Sequence, residues 1–519
     1  MQQKSGRVED ALDSYHLAVH FSPALATAHI ALAAALSGLQ SHSEAEERCR
    51  QALALDGASP AAWYCLGNVL KARGALAEAI EAYRMAVQYA PADTNAWQQL
   101  AFVESRLGRY DEAYRDFRTL LALAPDSHRA HHNLGLLQLE TGYPDEALAS
   151  FRRALELNPG TQESLTCSGH ALRDLGRLDE AIAEYDEVLK RHPDSGDASS
   201  NRSQTLLLRG DFSAGWSQYE KRFIASGKRA RTVGVPVWRG ENLSGKSITV
   251  LSEQGVGDEI MFASCLPDLV AAAGRVVIEC DPRLVTIFAR SFAQAMVQPR
   301  DDQPQATAGR RRDVDFEISI GSLPLHFRTG CQSFPRTVGY LRADPVSVAR
   351  WKKIYAEHQV LRPVGISWRG GVLRNRQHLR SIEPGGLMPI LRQPGIGFVS
   401  LQYGDHSEDL QALRKKFGII VQDVMPAIGT DIDELAAAIE ALDRVVTVDN
   451  TIAHLSGALG KNTCVLVPFS PEWRYGLHGD AMPWYPSVRL FRQIEPRNWS
   501  AAVAQIAQTF DEPCASQHA

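Results

Sequence analysis

The chain has 519 residues, of which 45% are hydrophobic, and it carries a formal net charge of −5. This length suits about three to four domains with packed cores, while the mild negative charge and the lack of any run of about 18 apolar residues favour neither a nucleic acid nor a membrane as a partner. The 8 cysteines form no CxxC pair and no Cys/His cluster, and the N-terminus lacks the apolar core of a signal peptide, so we expect no metal site, no disulfide framework and a cytoplasmic location.

A period of 34 residues runs through the first half of the chain. Glycines, alanines and prolines recur at three fixed positions of this lattice. The glycines are Gly6, Gly74, Gly108, Gly142, Gly176 and Gly210, with Gln40 at the remaining node; the alanines are Ala11, Ala45, Ala79, Ala113, Ala147 and Ala181; the prolines are Pro23, Pro91, Pro125, Pro159 and Pro193. Small alanines let two antiparallel helices approach closely, and the glycines and prolines end them.

This pattern resembles the tetratricopeptide repeat and predicts an α-helical solenoid over residues 1–227, built as a leading helix and six repeat units. The last unit departs from the pattern, with Gly215 at an alanine position and an aromatic run of Trp216, Tyr219 and Phe223. A terminal repeat that packs on a following domain would depart in this way.

The array is expected to bind an extended segment of a partner protein, because solenoids of this class use their concave face for that purpose. Two interpretations remain open for the aromatic residues near the starts of the inner helices. They either contribute to the binding surface or pack between neighbouring repeats. These residues are Trp63, Trp97, His131 and His132.

After a connector at residues 228–246, short apolar strands alternate with helices, which predicts parallel sheets covered by helices on both faces. In the first half we predict strands at 247–251, 275–279 and 316–320, helices at 260–272 and 281–295, and a polar loop at 300–312. In the second half we predict helices at 343–357, 433–442 and 497–510, and strands at 363–368, 398–401, 419–421 and 444–448.

Gly255 and Gly257 form a tight turn between the first strand and the following helix. A dinucleotide-binding fingerprint would need a third glycine at the position of Ile260, which weakens that interpretation. Two others remain open. The turn is either an ordinary one with helix-capping acids at Asp258 and Glu259, or an active-site turn with a carboxylate beside it.

The strand that ends at Asp449 is followed by a helix whose N-cap is predicted to be Asn450 or Thr451. Gly460 is expected to end this helix. Free backbone N–H groups and the helix dipole at such a start attract an anion, and a phosphate would fit there. His454 lies in the first turn and would either contact that anion or serve as a structural residue.

A further resemblance is carried by Gly257, Asp258 and Pro267 in the first half, and by Asp449, His454, Gly457, Gly460 and Pro468 in the second. On these residues, the region 247–495 resembles the two-lobed glycosyltransferases of the GT-B fold, and among them the heptosyltransferase-like group. Joined to tetratricopeptide repeats, it resembles bacterial glycosyltransferases that modify proteins, including flagellin, and is similar in plan to O-GlcNAc transferase. The resemblance implies two Rossmann-like lobes, an acceptor-side lobe at 247–342 and a nucleotide-sugar-side lobe with a terminal helix at 343–519.

The resemblance also implies an inverting, metal-independent transfer with no cofactor besides the nucleotide-sugar substrate. It implies that Asp258, beside Gly255 and Gly257, is the base that deprotonates the acceptor hydroxyl, with Glu253 and Glu259 as alternates. The donor-binding residues that it implies are Trp368, Arg369, Arg376, Arg380, Asp449, Asn450, Thr451, His454 and Trp473. The lysine of the heptosyltransferases is not recognisable, so the three arginines are the candidates to offset the charge of the departing diphosphate.

We therefore expect a cytoplasmic glycosyltransferase that moves a sugar to Ser or Thr of a protein acceptor, for which flagellin is one example. The repeat array would hold that acceptor. Two other functions stay open: a non-catalytic adaptor with a vestigial nucleotide-binding region, and a glycosyltransferase of the glycolipid or lipopolysaccharide type. Neither nucleic-acid binding nor membrane insertion is expected.

Overall fold

The structure is a computed structural model that describes residues 2–225, 231–300, 313–371 and 376–510. The predicted polar loop from residue 301 onward, and the first residues of the predicted connector, lie outside these ranges. Contacts divide the chain into two compact units, Met1–Ala171 and Leu172–Ala519. A tetratricopeptide-repeat solenoid is followed by an α/β region, as predicted, and the second unit contains the last repeat helices together with two parallel sheets.

The repeat region consists of paired helices joined by short turns. The helices are α1 (Gln2–Phe21), α2 (Ala26–Gly38), α3 (His42–Leu55), α4 (Pro60–Arg73), α5 (Leu76–Tyr89), α6 (Thr94–Arg106), α7 (Tyr110–Leu123), α8 (His128–Glu140), α9 (Pro144–Leu157), α10 (Gln162–Asp174), α11 (Leu178–Arg191), α12 (Gly196–Arg209), α13 (Phe212–Tyr219) and α14 (Arg222–Ala225).

The lattice glycines lie where the first helix of a pair ends in the left-handed conformation. Gly74 closes α4 with a φ of +87°, and Gly210 closes α12 with a φ of +89°. Glycine enters this region without the steric cost of a Cβ atom. Gln40 replaces glycine at one node and still adopts a φ of +63°. The period in the sequence therefore marks a fixed backbone geometry.

The close approach of paired helices depends on small residues that face aromatic rings. A Cβ atom on Gly67 would lie 2.6 Å from the ring of Tyr83, and a Cβ atom on Gly135 would lie 2.6 Å from the ring of Phe151. Both rings are fully buried. Because the interior is close-packed, these positions have no room for even one methyl group.

Tryptophan and histidine side chains near the starts of the inner helices form hydrogen bonds, through their ring nitrogens, to the turns that precede those helices. Trp63 Nε1 donates a hydrogen bond to the carbonyl oxygen of Gly57 at 2.9 Å, and Trp97 Nε1 donates to that of Pro91 at 2.8 Å. His131 uses its Nε2 in the same way, 2.9 Å from the carbonyl oxygen of residue 125. These rings therefore help to hold the turns that precede the inner helices, and a contribution to the binding surface stays a prediction.

The terminal repeat packs on the α/β region, which accounts for its departure from the pattern. Trp216 is 1% exposed, and its Nε1 donates to the carbonyl oxygen of Arg328 at 2.9 Å. The hydroxyl of Tyr219 accepts a hydrogen bond of 2.8 Å from the side chain of Gln254. Gln254, with a φ of +66°, lies in the turn that follows the first strand of the sheet.

The first sheet has four parallel strands in the order β3-β2-β1-β4. Val250 on β1 pairs with Ile278 on one side and with Ile318 on the other. The strands are β1 (Ser247–Leu251), β2 (Arg275–Cys280), β3 (Met296–Pro299) and β4 (Phe316–Ser319), and the helices are α15 (Val256–Phe262), α16 (Leu266–Ala272), α17 (Val285–Ser291) and α18 (Pro324–Phe327). The prediction of one helix at 260–272 was wrong, because Pro267 lacks an N–H group and lies in the first turn of a separate helix.

The second sheet has six parallel strands in the order β10-β9-β8-β5-β6-β7. The strands are β5 (Pro363–Ile366), β6 (Gly397–Ser400), β7 (Val421–Asp423), β8 (Arg444–Val448), β9 (Thr463–Val467) and β10 (Val488–Arg492). The helices are α19 (Pro345–Glu357), α20 (Met388–Leu391), α21 (Ser407–Phe417), α22 (Met425–Ile428), α23 (Ile432–Glu440), α24 (Thr451–Leu459) and α25 (Ser500–Gln508). Strand order reverses between β5 and β8, as it does between β1 and β4 in the first sheet, and ligands of such sheets bind beyond the carboxyl ends at that reversal.

Candidate functional site

Two turns meet where the strand orders reverse. One follows β1 and leads into α15, whose first turn contains Gly257; the other follows β8 and leads into α24. A Cβ atom on Gly257 would lie 3.4 Å from both Thr451 Oγ1 and His454 Cδ2. The two turns that the sequence singled out are therefore packed against each other.

Asp258, in the first turn of α15, pairs with an arginine from the second half of the α/β region. Arg474 Nη2 lies 3.1 Å from Asp258 Oδ1, and the side chains are 17% and 24% exposed, respectively. Burial opposes the charge of Arg474, but the carboxylates of Asp258, Glu472 and Asp449 outweigh it and raise the pKa of Arg474. Sequence reasoning left Arg474 out of the site residues, although it directly follows Trp473 in the polar segment after β9.

Both alternate acids hold the turn in place through buried contacts. Glu253 forms an ion pair with Arg222 of the last repeat helix, with Nη2 and Oε1 2.6 Å apart. Glu259 is fully buried and accepts hydrogen bonds from Ser252 Oγ at 2.5 Å and from the backbone N–H of Asp281 at 2.9 Å. Burial raises the pKa of Glu259 to about 7. Neither carboxylate faces the cleft described below.

Of the three predicted arginines, Arg380 lies at the junction of the turns. Its Nη2 is 2.6 Å from Asp449 Oδ2, and its Nη1 is 3.3 Å from Glu472 Oε1. Together with Arg474 and Asp258, these side chains form a network of two arginines and three carboxylates. We name these five residues the charge network.

The other two predicted arginines have partners elsewhere. Arg369 contacts the carboxylate of Asp409 and donates to the carbonyl oxygen of Asp405 at 2.6 Å. Arg376 forms a 2.5 Å ion pair with Asp174 at the end of α10. Of the three predicted arginines, Arg380 alone therefore has its guanidinium beside the turn after β8, and the role of neutralising a diphosphate stays a prediction.

Asn450 is the N-cap of α24, as expected for one of the two candidates. Its Oδ1 accepts from the N–H groups of Ile452 at 2.9 Å and Ala453 at 3.4 Å, while its Nδ2 donates to Ser367 Oγ at 2.8 Å. Gly460 ends the helix with a φ of +80°. The cap side chain already uses two of the N–H groups that were expected to hold an anion.

His454 is buried behind the two turns. Its Nδ1 lies 3.1 Å from the hydroxyl of Tyr485, and its Nε2 has no hydrogen-bond partner within the described residues. Burial, together with the charge of Arg474, lowers the pKa of His454 to about 3. The ring is therefore neutral near pH 7 and keeps one nitrogen for a further contact.

The two predicted donor-binding tryptophans are packed side chains. Trp368 is 1% exposed and donates from Nε1 to Asp409 at 2.8 Å. Trp473 packs edge-on against Trp216, with the ring centroids 5.4 Å apart. Aromatic pairs of this kind stabilise a core, and these contacts show a packing role.

A cleft of about 610 Å³ opens beside the meeting point of the turns. Its walls combine residues of both halves of the α/β region, and they are mainly apolar with a few polar groups, as in small-molecule sites. Lining residues include Val256, Arg283, Tyr403, Met425, Ile432 and Thr451. Thr451 alone among the predicted site residues belongs to this lining. Tyr403 and Met425 were not predicted as site residues. Each follows closely after a strand that ends in a polar loop, and that position was the signal that could have identified them.

No group of three or more His, Cys, Asp or Glu side chains in the described ranges could hold a metal ion. Among the helices of those ranges, none is long and apolar enough to cross a membrane.

The fold and its turns define a protein in which a tetratricopeptide-repeat solenoid precedes an α/β region with two parallel sheets. The tetratricopeptide repeat family matches residues 60–93, 93–159 and 168–228, and such repeats indicate protein–protein interaction. Protein FlbA of Caulobacter vibrioides is 32% identical over 336 residues, and the match covers 61% of this chain and 55% of that protein. The chain thus spans about half the length of the curated relative that it matches.

Two solved structures are similar to part of the chain. YrrB, described as a TPR protein with an unusual peptide-binding site, is 22% identical with a TM-score of 0.32, over 36% of this chain and 97% of that one. The APC/C hetero-tetramer Cut9-Hcn1 is 18% identical with a TM-score of 0.38, over 43% of this chain and 45% of that one.

Proposed function

We propose that the chain is an inverting, metal-independent glycosyltransferase that moves a sugar from a nucleotide sugar to a Ser or Thr hydroxyl of a protein. The observation that carries this proposal is the meeting of two parallel sheets. Each sheet reverses its strand order, and the turns at the reversals adjoin one cleft with the partly exposed carboxylate of Asp258 nearby. The sequence resemblance to GT-B enzymes agrees with this arrangement.

The cleft is suited to the nucleoside part of the donor. Tyr403, which is 41% exposed, can stack on a base, and Met425 and Ile432 add apolar surface. Thr451 lies at the start of α24, where the helix dipole favours a phosphate group. Of the predicted arginines, Arg380 lies beside Asp449 at the end of β8.

The reaction would be a single displacement. The acceptor oxygen attacks the anomeric carbon and its proton passes to Asp258, while the bond between that carbon and the diphosphate oxygen breaks and the nucleoside diphosphate leaves with the electron pair. A positioned carboxylate base contributes about 10²–10⁴-fold to such a step. Arg380 and Arg474, which form ion pairs with Asp449 and Asp258, are the candidates to offset the negative charge that develops on the leaving group.

A non-catalytic adaptor is the second candidate, and two observations favour it. Asn450 already occupies two N–H groups at the start of α24, and Asp258 is paired with Arg474. The occupied N–H groups would bind a diphosphate less well, and the paired carboxylate would accept a proton less readily. The cleft would still be able to hold a nucleotide.

The replacement Asp258→Asn tests the proposal directly. The wild-type chain is purified with co-expressed candidate acceptors, flagellin among them, and intact acceptor masses are recorded. We expect a mass gain equal to a glycosyl unit, and an initial rate about 10²–10⁴-fold lower for Asp258→Asn because the base is lost. Binding of nucleoside diphosphates, measured by calorimetry, should persist in the variant.

Asp126→Asn is the matched control, since Asp126 is an exposed acid whose partner is Arg153 within the repeats. It should transfer at the wild-type rate. A full rate in Asp258→Asn would remove this residue from the mechanism. Nucleotide binding by the wild type without any mass gain would favour the adaptor.

A further inference from the structure

Two cysteines of the first repeats lie in direct contact. Cys49 on α3 and Cys65 on α4 are 16 positions apart in the sequence, and their Sγ atoms are separated by 3.4 Å. The two helices belong to neighbouring repeats, since α3 completes one helix pair and α4 begins the next. Both residues lie in the first compact unit, and neither was predicted as a site residue.

The two thiols differ in acidity because one donates a hydrogen bond to the other. The S–H group of Cys49 donates to Cys65 Sγ, and this bond lowers the pKa of Cys65 although burial opposes it. The same bond raises the pKa of Cys49, and burial and the nearby carboxylate of Glu46 raise it further. When the pair loses one proton, it therefore leaves from Cys65. The resulting thiolate is the form in which cysteine sulfur acts as a nucleophile.

The two residues also differ in exposure. Cys65 is 7% exposed, whereas Cys49 is 0% exposed, so a small oxidant meets Cys65 first. While Cys65 is protonated, its S–H group donates to the carbonyl oxygen of Ile30 on α2, at 3.8 Å. The more acidic thiol is thus the more accessible one, and a second thiol lies against it. This is the arrangement of a reactive cysteine beside a resolving cysteine.

We propose that Cys49 and Cys65 are a redox-sensitive modification site, which forms a reversible disulfide between two neighbouring repeats when it meets a peroxide. The Cys65 thiolate attacks one oxygen of hydrogen peroxide. The O–O bond breaks, and hydroxide leaves with the electron pair and takes up the proton that Cys65 released. Cys65 is now a sulfenic acid.

In the second step the Cys49 sulfur attacks the sulfenic sulfur of Cys65. The S–O bond breaks, and the OH group leaves as water with the proton of Cys49. Both sulfurs are oxidised, and one peroxide is reduced to two water molecules. A small thiol reverses the modification by thiol–disulfide exchange.

The disulfide would act on a single junction of the solenoid. Each repeat contacts only its neighbours, so a covalent bond between α3 and α4 fixes the junction of their two repeats. The sulfur atoms, 3.4 Å apart, must approach by about 1.4 Å, because a disulfide bond is about 2.0 Å long. The inference is independent of the proposed glycosyl transfer, and its test needs neither a nucleotide sugar nor an acceptor.

The test uses the full chain and hydrogen peroxide. Reduced protein is oxidised in the folded state and, in parallel, in urea; the remaining thiols are then alkylated and the protein is digested with trypsin. Arg50 lies between the two cysteines. Cleavage there places Cys49 and Cys65 on separate peptides, which stay together only through a disulfide. Cys331→Ser is the matched control, because Cys331 is exposed and lies outside the repeats.

We expect linked peptides from the folded wild type and from Cys331→Ser, and their separation after reduction. In Cys49→Ser, Cys65 should stop at the sulfenic acid, which dimedone labels, whereas Cys49 should stay unlabelled in Cys65→Ser. Labelling of Cys65 should be about fivefold slower in Cys49→Ala than in Cys49→Ser, because alanine offers no hydrogen-bond donor. The midpoint of thermal unfolding should rise by several degrees in the oxidised wild type and return on reduction.

Three results would overturn the proposal. Linked peptides from the urea sample alone would show that the folded repeats keep the sulfurs apart. A sulfenic acid at Cys65 of the wild type without linkage would show that Cys49 cannot resolve it. Oxidation confined to Cys331 would show that the pair is inert. The comparison of folded and urea samples of the wild type decides the matter even if a serine variant fails to fold.

Discussion

Three acids near the first turn differ in chemistry because they differ in burial and in partners. Glu253, Asp258 and Glu259 look alike in the sequence, and each could serve as a base. Glu253 forms an ion pair with Arg222. Glu259 is fully buried, and each of its carboxylate oxygens accepts a hydrogen bond. Asp258 keeps 24% of its side chain exposed. It is therefore the most exposed of the three carboxylates, which is what the proposed base requires.

The buried carboxyl of Glu259 should make stability fall as pH rises. Its pKa is about 7 in the folded chain against an ordinary value of 4.5, so the folded state holds the proton more tightly. The raised pKa of Glu259 contributes stability that is fully present below pH 4.5 and is lost as the pH rises through 7. Relative to Glu259→Gln, the free energy of unfolding of the wild type should drop by about 2 kcal/mol from pH 5 to pH 7.

Urea unfolding of both proteins across this range measures the effect of Glu259. The fixed cost of replacing the side chain cancels, because only the change with pH is compared. A difference that stays constant with pH would contradict the raised pKa.

His454 should produce the opposite trend. Its pKa is about 3 in the folded chain against an ordinary value of 6.5, so the unfolded chain binds the proton more readily. The contribution of the neutral His454 ring to stability is present above pH 6.5 and is lost as the pH falls toward 3. Relative to His454→Gln, the wild type should lose about 2 kcal/mol from pH 6.5 to pH 5. NMR titration of the His454 ring offers an independent check: a midpoint near 6.5 in the folded protein would refute the shift.

At the scale of elements, the small residues of the repeats should tolerate no added methyl group. Gly135→Ala would place a Cβ atom 2.6 Å from the buried ring of Phe151, and such overpacking costs about 1–3 kcal/mol. Gly38→Ala is the matched control, because Gly38 lies in α2 with no atom within 4 Å of the new Cβ. The control should gain about 0.5–1 kcal/mol from helix propensity. Thermal unfolding should thus shift in opposite directions for the two variants, and a shift in the same direction would show that the ring of Phe151 can move aside and admit a methyl group at Gly135.

Elements were predictable where one local signal dominates. The 34-residue period gave the repeats, since each unit must bury the same face against its neighbour. The position of Asn450 before an apolar helix gave its cap. The edge strand β3 was missed, because its four residues show no apolar alternation and no turn signal. The break before α16 was also missed, although proline at an early helical position is a known start signal.

The candidate site was predictable only in part, because side-chain partners come from distant segments. The sequence indicated both turns, and these lie in contact. It could not show that Arg369 would turn to Asp409, or that Arg376 would pair with Asp174 about two hundred residues away. It equally gave no sign that Arg474 would meet Asp258, since 216 positions separate them. Local patterns place a residue at a strand end, whereas tertiary packing decides what it faces.

At the scale of the whole molecule, the last repeats are part of the α/β core. Trp216 packs against Phe262 and Trp484, with ring centroids 6.4 Å and 6.2 Å apart, and these rings belong to the two halves of that region. Arg222 pairs with Glu253, and both side chains are nearly buried at 9% and 11% exposure. The contact division at Leu172 reflects this packing and differs from the end of the repeat pattern at residue 227.

Two truncations should therefore behave differently. A fragment that begins at Gly160 keeps α10 whole and retains the last repeats, so it should unfold in one cooperative transition. A fragment that begins at residue 228 loses Trp216 and Arg222, which exposes the rings of Phe262, Trp473 and Trp484 and leaves Glu253 without its partner. Removing one member of a buried ion pair alone costs about 3–5 kcal/mol, a large share of the roughly 5–15 kcal/mol that a domain possesses.

The shorter fragment should aggregate or lack a thermal transition, as judged by calorimetry and gel filtration. If it unfolded cooperatively at the same temperature as the longer one, the last repeats would be shown to be dispensable for the α/β fold, and the Trp216 contacts would be reduced to a minor contribution.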